Sequence, residues 1–159
     1  RNGNTAPSDN YVDAALAKLD SAQPLAYSFY DWGPIEKDPL PTASIKPGLK
    51  VRKVGRTTGF TTGEVAGMGG NPTIGYQLDQ GNGGTAFAKF QLAIPIKSTG
   101  GTRFSDRGDS GSVLVTDDGD TPRAVALLFA GDSTGALTWA LPMETVFKAL
   151  KISGFVNGG

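Results

Sequence analysis

From Leu49 onward, apolar residues recur in short runs, and each run is stopped by Gly, Pro, Asn or Asp. That pattern belongs to short strands with one face on a core. Val51 and Val54 open one run, and residues 60–65 form its hairpin partner across Thr57-Thr58-Gly59. Residues 67–72 are a Gly-rich loop, residues 73–78 the next strand, and Gly81-Asn82-Gly83-Gly84 a hairpin tip. Residues 86–96 form the longest predicted strand, with Phe90, Leu92, Ile94 and Ile96 alternating toward the core. Asp117-Asp118-Gly119-Asp120 reads as a turn, because the spacing lacks the terminal Glu of a calcium loop. The period changes at 142–151: Pro142 suits a first helical position, Val146, Phe147 and Leu150 share one face, and Gly154 lies beyond the end. Many short strands and one helix predict an all-β fold.

The front of the chain is less regular. Residues 1–10 are polar and rich in Gly, Asn and Ser, the composition of a loose terminus. Residues 11–19 fit either period, since Val12, Leu16 and Leu19 also share a helical face. Residues 25–30 read as a strand, with Leu25, Tyr27 and Phe29 on one side. From Asp31 to Gly48 the chain carries Pro34, Pro39, Pro41 and Pro47 with little periodicity, which predicts a connector over the surface.

A chain of 159 residues can bury one sizeable core. Its 15 basic and 15 acidic side chains cancel and form no run of one sign, which argues against nucleic acid or an anionic membrane as partner. Without cysteine or histidine there is no disulfide, thiol nucleophile or zinc site to expect, so no metal and no cofactor is assigned. The glycines at 81, 83 and 84 are not followed by Gly-Lys-Ser/Thr, so a phosphate cradle is not expected. No apolar run has membrane length, and the compartment is left open.

Gly108-Asp109-Ser110-Gly111-Ser112 carries the candidate chemistry. Glycines on both sides of Asp-Ser let the backbone turn tightly and aim its N–H groups into one small volume, as an activated serine requires. The same residues are also standard turn formers. Both readings stand on these five residues alone.

What surrounds them favours the first. The motif runs into an apolar strand and resembles the nucleophile segment of the trypsin/chymotrypsin-like serine peptidases, in their bacterial or fungal branch because the animal disulfides are missing. Residues 124–131 resemble the strand beside the substrate, 136–147 the last strand and closing helix, and 50–65 the first strands of the second barrel. The segment from Val12 to Leu19, with Asp13 near its start, resembles the one bearing the triad aspartate. The resemblance implies two antiparallel β-barrels: a remnant of the first at 1–30, a connector at 31–48, and a complete second barrel with a C-terminal helix at 49–159. It implies Ser110 as nucleophile, Asp13 as the residue orienting a histidine, and the N–H groups of Gly108 and Ser110 as the oxyanion hole. Asp109 would hold the loop by pairing with a cation, Arg56 or Arg107. Phe129, Ala130 and Gly131 would pair with the substrate backbone, and Phe104 would floor the specificity pocket, favouring an apolar or small residue over Lys or Arg.

One departure stands against this agreement. Such a triad needs a histidine ahead of the aspartate, and the chain has none. The expectation is an endopeptidase acting on polypeptides, whose histidine comes from a segment upstream of Arg1, a fragment of the same precursor. The alternatives are an inactive protease-like binding or scaffold module, and an unrelated β-domain in which the motif is only a turn.

Overall fold

The computed structural model describes residues 9–18, 32–77, 84–119, 121–132 and 134–155. The strand expected at 25–30, most of the hairpin tip at 81–84 and Leu19 lie outside these residues.

Among the described residues, nine strands and one α-helix follow in order: β1 (Asp9–Asn10), β2 (Lys50–Gly55), β3 (Gly59–Val65), β4 (Thr73–Gln77), β5 (Thr85–Phe90), β6 (Ile94–Ser98), β7 (Val113–Thr116), β8 (Ala124–Gly131), β9 (Leu137–Pro142) and α1 (Met143–Leu150). Six of them close into a barrel in the order β2-β3-β6-β9-β8-β7. Closure gives every wall strand two neighbours and removes exposed edges. A separate three-stranded sheet, β1-β5-β4, stands outside the wall. The fold is thus mostly β, with one complete barrel, a partial second sheet and a C-terminal helix.

Strand alternation fills the barrel. Val51, Val65, Ile94, Ile96, Leu114, Leu128 and Ala140 are buried together with Phe104, whose ring closes over Gly63. A methyl group at Gly63 would come within 2.7 Å of that ring, so only glycine admits it there. The far side of β7–β9 is buried as well: Val115, Ala124 and Leu141 pack against Met143, Val146 and Phe147 of α1. Two buried faces explain why residues 124–131 read as a continuous apolar run. Pro142 is the N-cap of α1 rather than its first helical residue, and Lys151 ends the helix in the left-handed region at φ 55°.

The predicted strand over 86–96 is broken. Leu92 takes φ 61° and is 59% exposed, while Phe90, Ile94 and Ile96 are buried. The kink at 91–93 lets the chain leave the outer hairpin at β5 and enter the barrel wall as β6. Residues 11–18 form neither helix nor strand; Val12 is half-buried and Leu16 exposed.

The connector is stitched to the barrel. Glu36 N donates to Pro122 O at 2.9 Å and Leu40 N to Ala124 O at 2.8 Å, while Ile35 and Ile45 are buried. A 3-10 turn, Thr42–Ser44, follows, and Thr42 N donates to Glu144 Oε2 at 2.9 Å, joining connector to helix. With Phe104 only 1% exposed inside the barrel, Phe104→Ala is expected to lower unfolding free energy by about 3–5 kcal/mol in urea titrations.

Candidate active site

The loop bearing Gly108-Asp109-Ser110 runs between β6 and β7 and is fastened to the β2–β3 turn by one carboxylate. Asp109 Oδ1 accepts from Thr57 N at 2.7 Å and Thr58 N at 3.2 Å; Oδ2 accepts from Thr58 Oγ1 at 2.7 Å and Asp106 N at 3.0 Å. Beneath it lies Lys53, whose Nζ is 3.5 Å from Oδ2, with both side chains wholly buried. Lys53 reaches this point because Val51 and Lys53, two apart on β2, share the inward face. Its ammonium also donates to Thr58 Oγ1 at 2.6 Å and Gly59 O at 3.3 Å. The cation beside Asp109 is therefore Lys53; Arg56 and Arg107, the partners expected from sequence, are both exposed. Glycine at 55 is required, since a Cβ there would collide with the Asp109 carboxylate.

Burial opposes charge on both partners. It pulls the Lys53 ammonium below its usual value despite the attraction of Asp109. For Asp109 burial alone would raise the carboxyl, but the Thr58 hydroxyl and the N–H groups of Asp106, Thr57 and Thr58 outweigh it and hold the group at about 2.

The clamp fixes what surrounds Ser110. Thr57 Oγ1 donates to Arg107 O at 2.7 Å, and Ser112 Oγ to Asp109 O at 2.6 Å. Gly111 N donates to Leu128 O at 2.8 Å, joining the loop to β8. Gly108 and Gly111 take φ of 98° and 90°, left-handed values that a side chain resists. Ser110 stands exposed between them, its Oγ donating to Phe129 O at 3.3 Å. Among the described residues no acceptor takes the N–H of Gly108 or of Ser110.

Two concavities meet at Ser110. One, of about 420 Å³, is bounded by Asp13, Ala14, Gly111, Leu127 and Phe129. Asp13 and Ser110 thus share one space, though 97 positions separate them in sequence. Asp13 Oδ2 accepts from Tyr76 Oη on β4 at 2.8 Å; burial and then this bond push the Tyr76 phenol well above its usual value. The segment is tethered by β1, which runs parallel to β5 with Asp9 opposite Lys89, and Gln91 N donates to Asn10 O at 2.8 Å.

The other concavity, of about 490 Å³, is bounded by Arg103, Ser105, Arg107 and the end of β8 from Leu128 through Phe129, Ala130 and Gly131. β7 pairs with β8 only as far as Leu127, so residues 129–131 have no strand on that side among the described residues. Phe104 does not line this space. It turns into the barrel, and Ser105 takes the position at the wall, its Oγ 2.6 Å from Thr138 Oγ1. The preference for an apolar or small side chain, inferred from Phe104, loses its basis.

No family model matches the chain, and no curated protein matches it in sequence. Solved structures do match. A chymotrypsin from Cellulomonas bogoriensis superposes with a TM-score of 0.52 at 19% identity, over 81% of this chain and 60% of its own. A glutamic acid-specific serine protease that uses a histidine triad in substrate binding superposes with a TM-score of 0.51 at 20% identity, over 84% and 62%. The chain has the chymotrypsin-type fold. It spans roughly three fifths of the length of these two proteins.

Because the Asp109 carboxyl sits at about 2 against an ordinary 3.8, its contribution to stability is complete above about pH 4 and is lost as pH falls through 2. Urea midpoints measured from pH 5 down to pH 2 are expected to decline, and to decline less in Asp109→Asn. At neutral pH, Asp109→Ala is expected to cost more than Lys53→Met. The first strands a buried ammonium and four donors, a loss of about 3–5 kcal/mol, whereas the second leaves the carboxylate its four hydrogen bonds.

Proposed function

We propose that this chain is the nucleophile-bearing part of a serine endopeptidase. The observation that carries this is the setting of Ser110: exposed, on a loop locked by a buried carboxylate, beside two unengaged N–H groups, and sharing a concavity with Asp13.

A serine hydroxyl is a weak nucleophile without a base near pH 7. The base is a histidine from a segment of the same precursor upstream of Arg1, and its ring occupies the concavity between Asp13 and Ser110. It takes the Ser110 proton as Oγ attacks the scissile carbonyl, and Asp13 stabilises the imidazolium that forms. Charge developing on the carbonyl oxygen meets the N–H groups of Gly108 and Ser110. When the intermediate collapses, the imidazolium gives its proton to the leaving amine. Water then repeats the sequence on the acyl-enzyme and regenerates Ser110. Residues 129–131 hold the peptide by adding it as a strand to β8.

A second reading, an inactive module that keeps the groove for binding, is favoured by the absence of histidine from these 159 residues. Expression of the parent polypeptide, extended upstream of Arg1, separates the two. The peptidase reading expects hydrolysis of unstructured peptides that rises with pH through about 6.5 as the histidine loses its proton. It expects Ser110→Ala to reduce kcat by on the order of 10⁴-fold or more, and Asp13→Asn by a comparable factor. A parent reading frame with no upstream histidine, or hydrolysis unchanged in Ser110→Ala, would sink it.

A further inference from the structure

We propose that the concavity formed by Arg103, Ser105, Arg107 and the end of β8 receives a substrate side chain ending in a carboxylate, with Arg107 as the specificity-determining cation. This rests on the peptidase reading of Ser110 and names the residue class on the acyl side of the cut.

Four charged residues line this space: Arg103, Asp106, Arg107 and Asp132. Three are already committed. Asp106 Oδ1 accepts from Arg107 N at 2.7 Å and Oδ2 from Arg103 Nη1 at 3.3 Å, which engages both oxygens and ties Arg103 down. Asp132 accepts from Thr134 Oγ1 at 2.9 Å. Burial would raise its carboxyl, but that hydroxyl and the N–H groups of Leu137, Gly135 and Ala136 hold it below its usual value. The Arg107 side chain is different. It belongs to an exposed residue three before Ser110, and among the described residues its guanidinium has no ion pair and no hydrogen-bond partner.

The inner wall adds donors. Ser105 and Thr138 are 5% and 1% exposed, and their hydroxyls lie 2.6 Å apart. Two hydroxyls hold two protons and their mutual bond uses one, leaving one to donate. A Cβ at Gly131 would approach Ser105 Oγ to 3.4 Å, so the pair stands behind the glycine that keeps this end of β8 open. A carboxylate entering here meets a free guanidinium and a hydroxyl donor, and charge-assisted bonds are the stronger kind. A lysine side chain would meet the like charge of Arg107. A leucine side chain would strip water from Arg107 and the hydroxyls and give nothing back.

The test needs no histidine, because it measures binding. Four N-acetylated tetrapeptides, identical except for a C-terminal Glu, Gln, Leu or Lys, are titrated calorimetrically into the 159-residue protein at low salt. The Glu peptide is expected to bind about tenfold more tightly than its Gln isostere, and more tightly than Leu or Lys. Arg107→Gln is expected to erase the Glu-over-Gln difference. Salt at 0.5 M is expected to shrink the same difference by screening. Tightest binding of the Leu or Lys peptide, or a Glu preference that survives Arg107→Gln, would overturn the specificity proposal and leave the peptide groove standing. Failure of all four peptides to bind at millimolar concentration would remove the groove reading as well.

Discussion

A buried carboxylate with five partners organises this molecule. Asp109 takes four hydrogen bonds and faces the Lys53 ammonium, and through them the β2–β3 turn and the Ser110 loop become one body. Desolvation works against both charges: four hydrogen bonds offset it for Asp109, and the Asp109 carboxylate offsets part of it for Lys53. Lys53 needs Asp109, and Asp109 needs donors from two separate stretches of chain. The carboxylate is thus the member on which the clamp depends, and the result is a fixed orientation for Gly108, Ser110 and Gly111, two of them in left-handed backbone shapes.

The barrel supplies the rigidity behind that clamp. Its six strands leave no edge in the wall, and Phe104 over Gly63 fills the interior just below the loop. Outside the wall, the β4–β5 hairpin does a different job: it carries Tyr76 to the Asp13 carboxylate and holds β1 alongside β5. One side of the Ser110 site is therefore built on the barrel and the other on a hairpin inserted between two barrel strands.

Much of the fold was legible because it rests on local periodicity. The hairpin of β2 and β3 and the amphipathic face of α1 follow from alternation and 3.6-residue spacing. The break at Leu92 was not, because alternation continues through a residue whose φ changes sign and whose side chain meets solvent. Lys53 had a signal that charge obscured: it lies two residues from Val51, on the inward face of β2, whereas Val54 points the other way. Phe104 misled because the resemblance fixes a position along the chain but not the direction of the side chain. Tyr76 and Asp13 are 63 positions apart, and no local pattern couples them. The loop motif itself was plain in the sequence. What it is fastened to had to be seen in three dimensions.

The central claim is that the locked loop presents Ser110 as a nucleophile. It is tested most directly by treating the protein, together with the upstream segment proposed to carry the histidine, with a fluorophosphonate probe and locating the adduct by peptide mass spectrometry. The account predicts one adduct, on Ser110, formed much faster than on any other serine and lost when the protein is first unfolded in urea. Labelling spread over several serines, or absent from Ser110 while the protein is folded, would contradict it.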